Sequence, residues 1–289
     1  MYACLHKYLR PCLLLLAPAL LVVACSRIDL AYRNLDVLVP WSLNDYLDMN
    51  RQQKTWLNQR LKQHLAWHCR TQLPEYLTWI DKVRQMVADD QVTDAQLQLR
   101  TQEAKQAIAK VADQITPSAA QLLSAMDDDQ VREMRQAFSE DIRERQAKFV
   151  KTPLARQIEA RSERMEKRLT PWLGELTAQQ QLRIVTWSQS LGEQNRQWIA
   201  NRANWQAHFS EAMEQRKNAN FEPQLEQLLK NRESLWTPEY RVAYQRTEQA
   251  ARQLLVDLIA QSTPQQRQHL EQRLSQVQKD LSDLKCLKS

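Results

Sequence analysis

The chain has 289 residues, with two glycines against ten prolines, 26% charged residues and a formal charge of +6. Average usage would place about twenty glycines in it, and tight hairpins, phosphate loops and dinucleotide-binding crossovers need glycine wherever φ must be positive. That scarcity excludes sheets, barrels and nucleotide-binding folds. Glutamine takes roughly one position in eight, and with Leu, Ala, Arg and Glu it gives a composition of helix formers. The expectation is an all-α chain, an elongated bundle of about eight to ten amphipathic helices.

Residues 1–24 read as a targeting segment. His6, Lys7 and Arg10 precede an apolar run from Cys12 to Ala24, broken only by Pro18. The run falls short of the ~20 residues that span a bilayer. It ends in Val22-Val23-Ala24-Cys25-Ser26, which resembles the lipobox of bacterial lipoproteins. That resemblance implies cleavage before Cys25, acylation of Cys25, and outer-membrane sorting with Ser26 at the next position. Two or three acyl chains would make a stable anchor. Loss of the leader removes Lys7 and Arg10 and takes the formal charge from +6 to +4. Acidic and basic residues interleave along every segment, as on solvated helix faces, without the basic stripe that nucleic acid requires. Nucleic acid is not an expected partner.

Residues 25–49 mix short apolar pieces with Pro40 and read as an anchor and tether with short helices, and residues 50–289 read as one helical domain. Helix starts recur at capping signals. Asn50…Gln53, Thr93…Gln96, Asp127…Gln130 and Thr177…Gln180 have the spacing of a capping box. Thr116-Pro117, Thr152-Pro153, Thr237-Pro238 and Thr263-Pro264 have the proline-first form. Val92 with Leu97, and Met126 with Val131, are spaced as hydrophobic staples. Pro74 interrupts a helical pattern running from Asn50 to Asp89 and is expected to kink or break it. Gly174 and Gly192 fall where one helix should stop and another begin.

Apolar stripes at helical spacing follow. They include Val131, Met134, Phe138 and Ile142; Trp198, Trp205, Phe209 and Met213; Tyr240, Tyr244, Ala251, Leu254 and Leu258; and Leu270, Leu274, Val277, Leu281 and Leu284. Trp56, Trp67 and Trp79 are about three turns apart, as are Trp187 and Trp198, so each set keeps roughly one face. Such a stripe serves more often as helix core than as an aromatic groove for a glycan or peptide.

Few residues carry a chemical signal. His64 and His68 are four apart on one predicted helix, a spacing that can share a metal ion, but no Glu follows His64 and no further ligand is near in sequence. Their place on the Leu57, Leu61, Leu65 stripe favours the edge of a helix interface. Glu233-Ser234 is similar to the Glu-Ser pair of helical lytic transglycosylases, without the Gly-Leu-Met-Gln stretch those enzymes carry. No Ser-His-Asp elbow, phosphate loop or distinctive carboxylate pair is present, and no motif implies a cofactor. Cys69 and Cys286 are the cysteines left after the leader and Cys25. An oxidising compartment permits a bridge between them that would add about 4 kcal/mol in the chain-entropy model. Two separate thiols are the favoured reading, because Cys286 sits in the last residues of the chain.

Arg27-Ile28-Asp29-Leu30-Ala31-Tyr32-Arg33-Asn34-Leu35-Asp36, Trp41, Asp45-Tyr46-Leu47-Asp48, Gln52-Gln53, Trp56-Leu57, Trp67-His68 and Leu73-Pro74-Glu75-Tyr76 together resemble an uncharacterised family of Gram-negative lipoproteins known as a domain of unknown function. The resemblance implies an envelope location and an all-helical fold, and no activity. Within that block Tyr32, Asn34, Asp36, Trp67, His68 and Glu75 are the candidate polar and aromatic binding surface. The expected function is that of a non-enzymatic outer-membrane lipoprotein that faces the periplasm and binds an envelope protein or peptidoglycan. A helical foldase or chaperone for exported proteins is the alternative, and a cell-wall enzyme comes third.

Overall fold

The computed structural model describes Tyr32 and residues 34–288. The lipobox-like stretch with Cys25 lies outside the described residues. Among those described, every regular element is a helix. In chain order they are α1 (Leu35–Asn44), α2 (Arg51–Ala88), α3 (Asp94–Ser124), α4 (Asp128–Phe149), α5 (Leu154–Leu173), α6 (Ala178–Ser190), α7 (Gln194–Glu214), α8 (Phe221–Lys230), a 3-10 turn (Arg232–Leu235), α9 (Pro238–Ala260), α10 (Pro264–Ser282) and the short α11 (Lys285–Lys288). No described helix is long and apolar enough to cross a membrane.

The helices enclose two main cores. The first gathers Leu47 and Met49, Leu122 and Leu123 from the end of α3, Met134 of α4, Met213 of α7 and Leu225 of α8. The helical core thus takes in residues assigned above to the tether. The second gathers Val87 of α2, Leu173 of α5, Ile184 of α6, Leu258 of α9 and Leu274 of α10. Helix α2, 38 residues and about 57 Å long at 1.5 Å per residue, runs between them. Trp56 and Leu57 pack on the first core, while Val83 and Val87 belong with the second.

Each core is closed by the same polar device. Asn50 and Asp127 cap α2 and α4 in full capping boxes, with Gln53 and Gln130 at the third helical position. These two buried glutamines exchange side-chain hydrogen bonds, Gln53 Nε2 to Gln130 Oε1 at 3.1 Å and Gln130 Nε2 to Gln53 Oε1 at 2.8 Å. The second core repeats it: Thr177 and Thr263 cap α6 and α10. Gln180 and Gln266 donate to each other there at 3.1 and 2.9 Å. Spare amide protons reach backbone carbonyls nearby, from Gln53 to Ala125, Gln130 to Asp48, Gln180 to Leu258 and Gln266 to Glu175. No sequence repeat announces this, because only the caps and their glutamines recur.

Several expected starts fall as read, with Thr237 and Thr263 each followed by proline at the first helical position. Thr93 caps α3 through the Gln96 N–H. Gly174 and Gly192 take φ of +76° and +52°, where a side chain would be strained. Three expectations are corrected. Pro117 starts no helix and lies inside α3. Pro74 does not break α2, which is continuous through it, so of the expected kink or break the break is excluded. Both prolines remove a backbone donor, which frees the carbonyl four residues earlier, on Asp113 and Arg70, two exposed residues. The Thr152-Pro153 start is displaced: α5 begins at Leu154 with Pro153 as its cap, and the Thr152 hydroxyl turns back to the Lys148 carbonyl at 2.9 Å.

The cysteines require a further correction. Cys69 and Cys286 are joined in a disulfide across 217 residues of sequence, with Cα atoms 6.2 Å apart. The C-terminal segment is docked on α2, with Leu284 buried beside Cys69 and Leu73, and Leu281 and Leu287 packed around them.

Candidate functional site

Two consecutive residues on α2 hold the two ends of the described chain. Cys69 takes Cys286, and His68 takes Tyr32. The Tyr32 hydroxyl lies 3.2 Å from His68 Nδ1 and donates to the Leu65 carbonyl at 3.3 Å. On the other side of the ring, the Tyr76 hydroxyl lies 3.3 Å from Nε2. Tyr76 is placed there by α2 itself, eight residues or just over two turns further along. The His68 and Tyr76 rings meet edge to face at 5.4 Å, and the Tyr32 ring is tilted against His68 at 5.9 Å.

Burial sets the protonation of this chain. It pushes the His68 pKa below its usual 6.5, so the imidazole is neutral at neutral pH. It pushes Tyr32 and Tyr76 up to about 12, aided at Tyr32 by the neighbouring Tyr76 and at Tyr76 by Glu75. Both phenols therefore keep their protons. With the Tyr32 proton on the Leu65 carbonyl, one tautomer satisfies the set: Nδ1–H donates to the Tyr32 oxygen and the Tyr76 hydroxyl donates to Nε2. Each ring nitrogen is committed to a tyrosine, so the arrangement works as a latch on the N-terminal segment.

The other candidates divide between this latch and its surroundings. Trp67 lies edge-on beside His68 at 6.4 Å. Glu75 points away to Lys110 of α3, in a half-exposed ion pair of 2.7 Å. Asn34 caps α1 by position, and Asp36 lies in its first turn. The two histidines do not converge. His64 Nε2 meets the Ser118 hydroxyl of α3 at 2.9 Å, its Nδ1 is buried without a partner, and burial followed by Arg60 lowers its pKa. Among the described residues no group of three His, Cys, Asp or Glu side chains is placed to hold a metal ion. The tryptophans form no common groove. Trp187 is buried in the second core, Trp79 donates to the Arg100 carbonyl, and Trp56 packs on the first core beneath Arg60.

Sequence reasoning missed Tyr76 as a site residue, whose signal was its two-turn spacing from His68, and a buried ionic cluster whose local signal was the four-residue spacing of Asp141 and Arg145, its third member Arg202 being distant in sequence. In that cluster Asp141 accepts from Arg145 Nε at 2.8 Å and Arg202 Nε at 2.6 Å, with the three side chains 11%, 9% and 16% exposed. Burial and then Asp141 raise the pKa of the neighbouring Tyr46. Arg145 also stacks on Trp198, 5.2 Å from its ring centre.

No curated protein and no solved structure matches the chain. A family model does match residues 45–241, a stretch that includes the first core, His68, Tyr76 and the Asp141 cluster. By that match the chain belongs to DUF6279, a family of unknown function.

Proposed function

We propose that this protein is a lipoprotein held by acylated Cys25 in the outer membrane, facing the periplasm, and that it serves as a non-enzymatic binding or scaffold protein in envelope assembly or maintenance. The observation that carries the reading is the latch. Tyr32, seven residues beyond Cys25, is fixed to His68 on the longest helix, which would couple an anchored N-terminus directly to the rigid bundle. The disulfide at the adjacent residue supports an oxidising compartment such as the periplasm. The commitment of both His68 nitrogens to tyrosines supports a structural role for this cluster.

Two measurements test this. Palmitate labelling of the full-length protein should be abolished by Cys25→Ser, and labelling that persists overturns the anchor. In vivo crosslinking of the acylated protein in its native envelope, with mass spectrometry of what is captured, should recover a dominant folded envelope partner or peptidoglycan fragments. Turnover of purified sacculi by the protein would overturn the non-enzymatic reading, and preferential capture of newly exported, unfolded chains would replace it with a chaperone role.

A further inference from the structure

Helix α1 is the most apolar of the described helices of ten residues or more. Of its ten residues, Leu-Asp-Val-Leu-Val-Pro-Trp-Ser-Leu-Asn, only Asp36 is charged, and none is buried. Val37 is 62% and Leu38 41% exposed. They share one face with the half-buried Trp41, at the i, i+3, i+4 spacing that stacks side chains on a helix. Among the other described residues no two exposed large apolar side chains are neighbours in sequence, Leu99, Ile115, Leu154, Leu182, Trp198, Val242 and Leu255 being spread over separate stretches, which is ordinary for a protein surface. An adjacent exposed apolar pair beside a tryptophan, on a helix with no fully buried residue, is not ordinary.

Chain length indicates what covers this face. Tyr32 is latched to His68, and seven residues join it to Cys25, a reach of at most about 25 Å fully extended. A bilayer whose acyl layer received lipid chains on Cys25 would therefore lie within that distance of Tyr32. Helix α1 begins three residues later. Tryptophan with aliphatic neighbours on one side of a short helix is the side-chain set that settles at the headgroup boundary. We propose that the Val37, Leu38 and Trp41 face of α1 rests in the headgroup boundary of the bilayer that holds the Cys25 acyl chains. The inference rests on the lipoprotein reading above. Because α1 packs on α2 and on the first core through Leu43, this contact fixes the orientation of the bundle on the membrane and determines which helical faces point into the periplasm.

The test uses the full chain, expressed with its own leader and reconstituted into phosphatidylethanolamine–phosphatidylglycerol vesicles, carrying a nitroxide at Leu38→Cys or, as the reference, at Leu182→Cys on α6, where Leu182 is 67% exposed. Each labelled protein is first checked for unchanged helicity and cooperative unfolding. On vesicles the label at 38 should become accessible to dissolved oxygen and several-fold less accessible to a water-soluble nickel complex, while the label at 182 stays in water. Palmitate labelling is read on the same samples. If Cys25 is acylated and the protein is vesicle-bound, but the label at 38 remains as water-exposed as at 182, the membrane contact is overturned and the lipoprotein reading stands. Absence of acylation overturns both. Dipolar coupling between labels at 38 on separate molecules would show that a second copy covers the face, and that also overturns the inference.

Discussion

Gln53 and Gln130, 77 residues apart, form a cyclic amide pair in which each side chain donates to the other. Each also accepts from the backbone N–H of its own helix cap, Gln53 from Asn50 and Gln130 from Asp127. One side chain thus completes a local cap and joins two helix starts. Replacing either by leucine strands a buried amide on the partner and an open N–H at the cap. Each single change should cost about 2–4 kcal/mol, and the double change less than the sum of the singles because the orphaned partner is removed as well. Urea midpoints for the four members of the cycle measure this. Additive losses would mean that the pair contributes nothing beyond its two caps. The Gln180 and Gln266 pair should show the same coupling internally and none with Gln53.

The Cys69–Cys286 bridge closes a loop of 217 residues, so it restricts the unfolded chain strongly. Cys69→Ser and Cys286→Ser should each lower stability by about 2–5 kcal/mol, and the double variant should lose no more than either single. Oxidised wild-type protein should migrate faster than reduced protein on a denaturing gel, while both variants migrate alike with and without reductant. Equal stability of reduced and oxidised wild type would contradict this account.

His68 gives stability a pH dependence whose sign is fixed. Burial lowers its pKa in the folded chain below the 6.5 of the unfolded one, so below pH 6.5 the unfolded state takes up a proton that the folded state resists. The His68 contribution should be constant above pH 6.5 and decline as the pH falls from there to the folded pKa. Glutamine can hydrogen-bond to a tyrosine without titrating, so His68→Gln should lose less stability than wild type between about pH 7.5 and about pH 5. His64, also lowered, titrates equally in both proteins and cancels. Parallel pH profiles would exclude this role. At the alkaline end, the raised Tyr32 and Tyr76 make stability fall as the pH climbs from 10 toward 12.

Asp141 is the carboxylate shared by the guanidiniums of Arg145 and Arg202. Asp141→Ala leaves two desolvated cations facing each other and should destabilise by about 3–5 kcal/mol. Adding Arg145→Met and Arg202→Met to that variant should recover much of the loss, since apolar groups of similar volume need no counter-charge. Chemical denaturation of the two variants distinguishes repulsion between uncompensated charges from simple loss of packing, which the added substitutions would deepen.

What could be read from residues alone was whatever is local. The limits of α2, Asn50 to Asp89, were visible because a cap is complete within four residues and needs no partner. The stripe starting at Leu270 was visible because a helix face repeats within one segment, and Leu270, Leu274 and Val277 are buried on α10, while Leu284 is buried just beyond its end. What failed was long-range. Gln53 and Gln130 were recognisable as caps, but nothing in either stretch says that the two helix starts abut. The bridge between Cys69 and Cys286 depends on Leu284 docking beside Leu73, a contact that the final residues do not advertise. Of the candidate surface, His68 and Tyr32 met because α1 folds back along α2, whereas Glu75 turned to Lys110 on a helix whose position the sequence does not specify.

Pro117 shows the same limit from the opposite side. Thr116-Pro117 has the local form of a helix start, as Thr237-Pro238 does, yet Thr116 is buried inside α3 and its hydroxyl donates to the Ala112 carbonyl at 2.7 Å. Packing explains the difference. The stretch on both sides of Pro117 is committed to neighbours, with Lys110 paired to Glu75 on α2, Asp113 paired to Lys230 on α8, and Ala120, Leu122 and Leu123 buried in the first core. A helix interrupted at Pro117 would misalign these contacts, so the chain accepts the lost hydrogen bond. Since that bond is the main cost and Pro117 is exposed, Pro117→Ala should restore it and stabilise the protein by about 1–3 kcal/mol, with a higher urea midpoint and unchanged slope. A destabilising effect would mean that α3 depends on the bend proline imposes there, and that the contacts on its two sides are aligned by the proline.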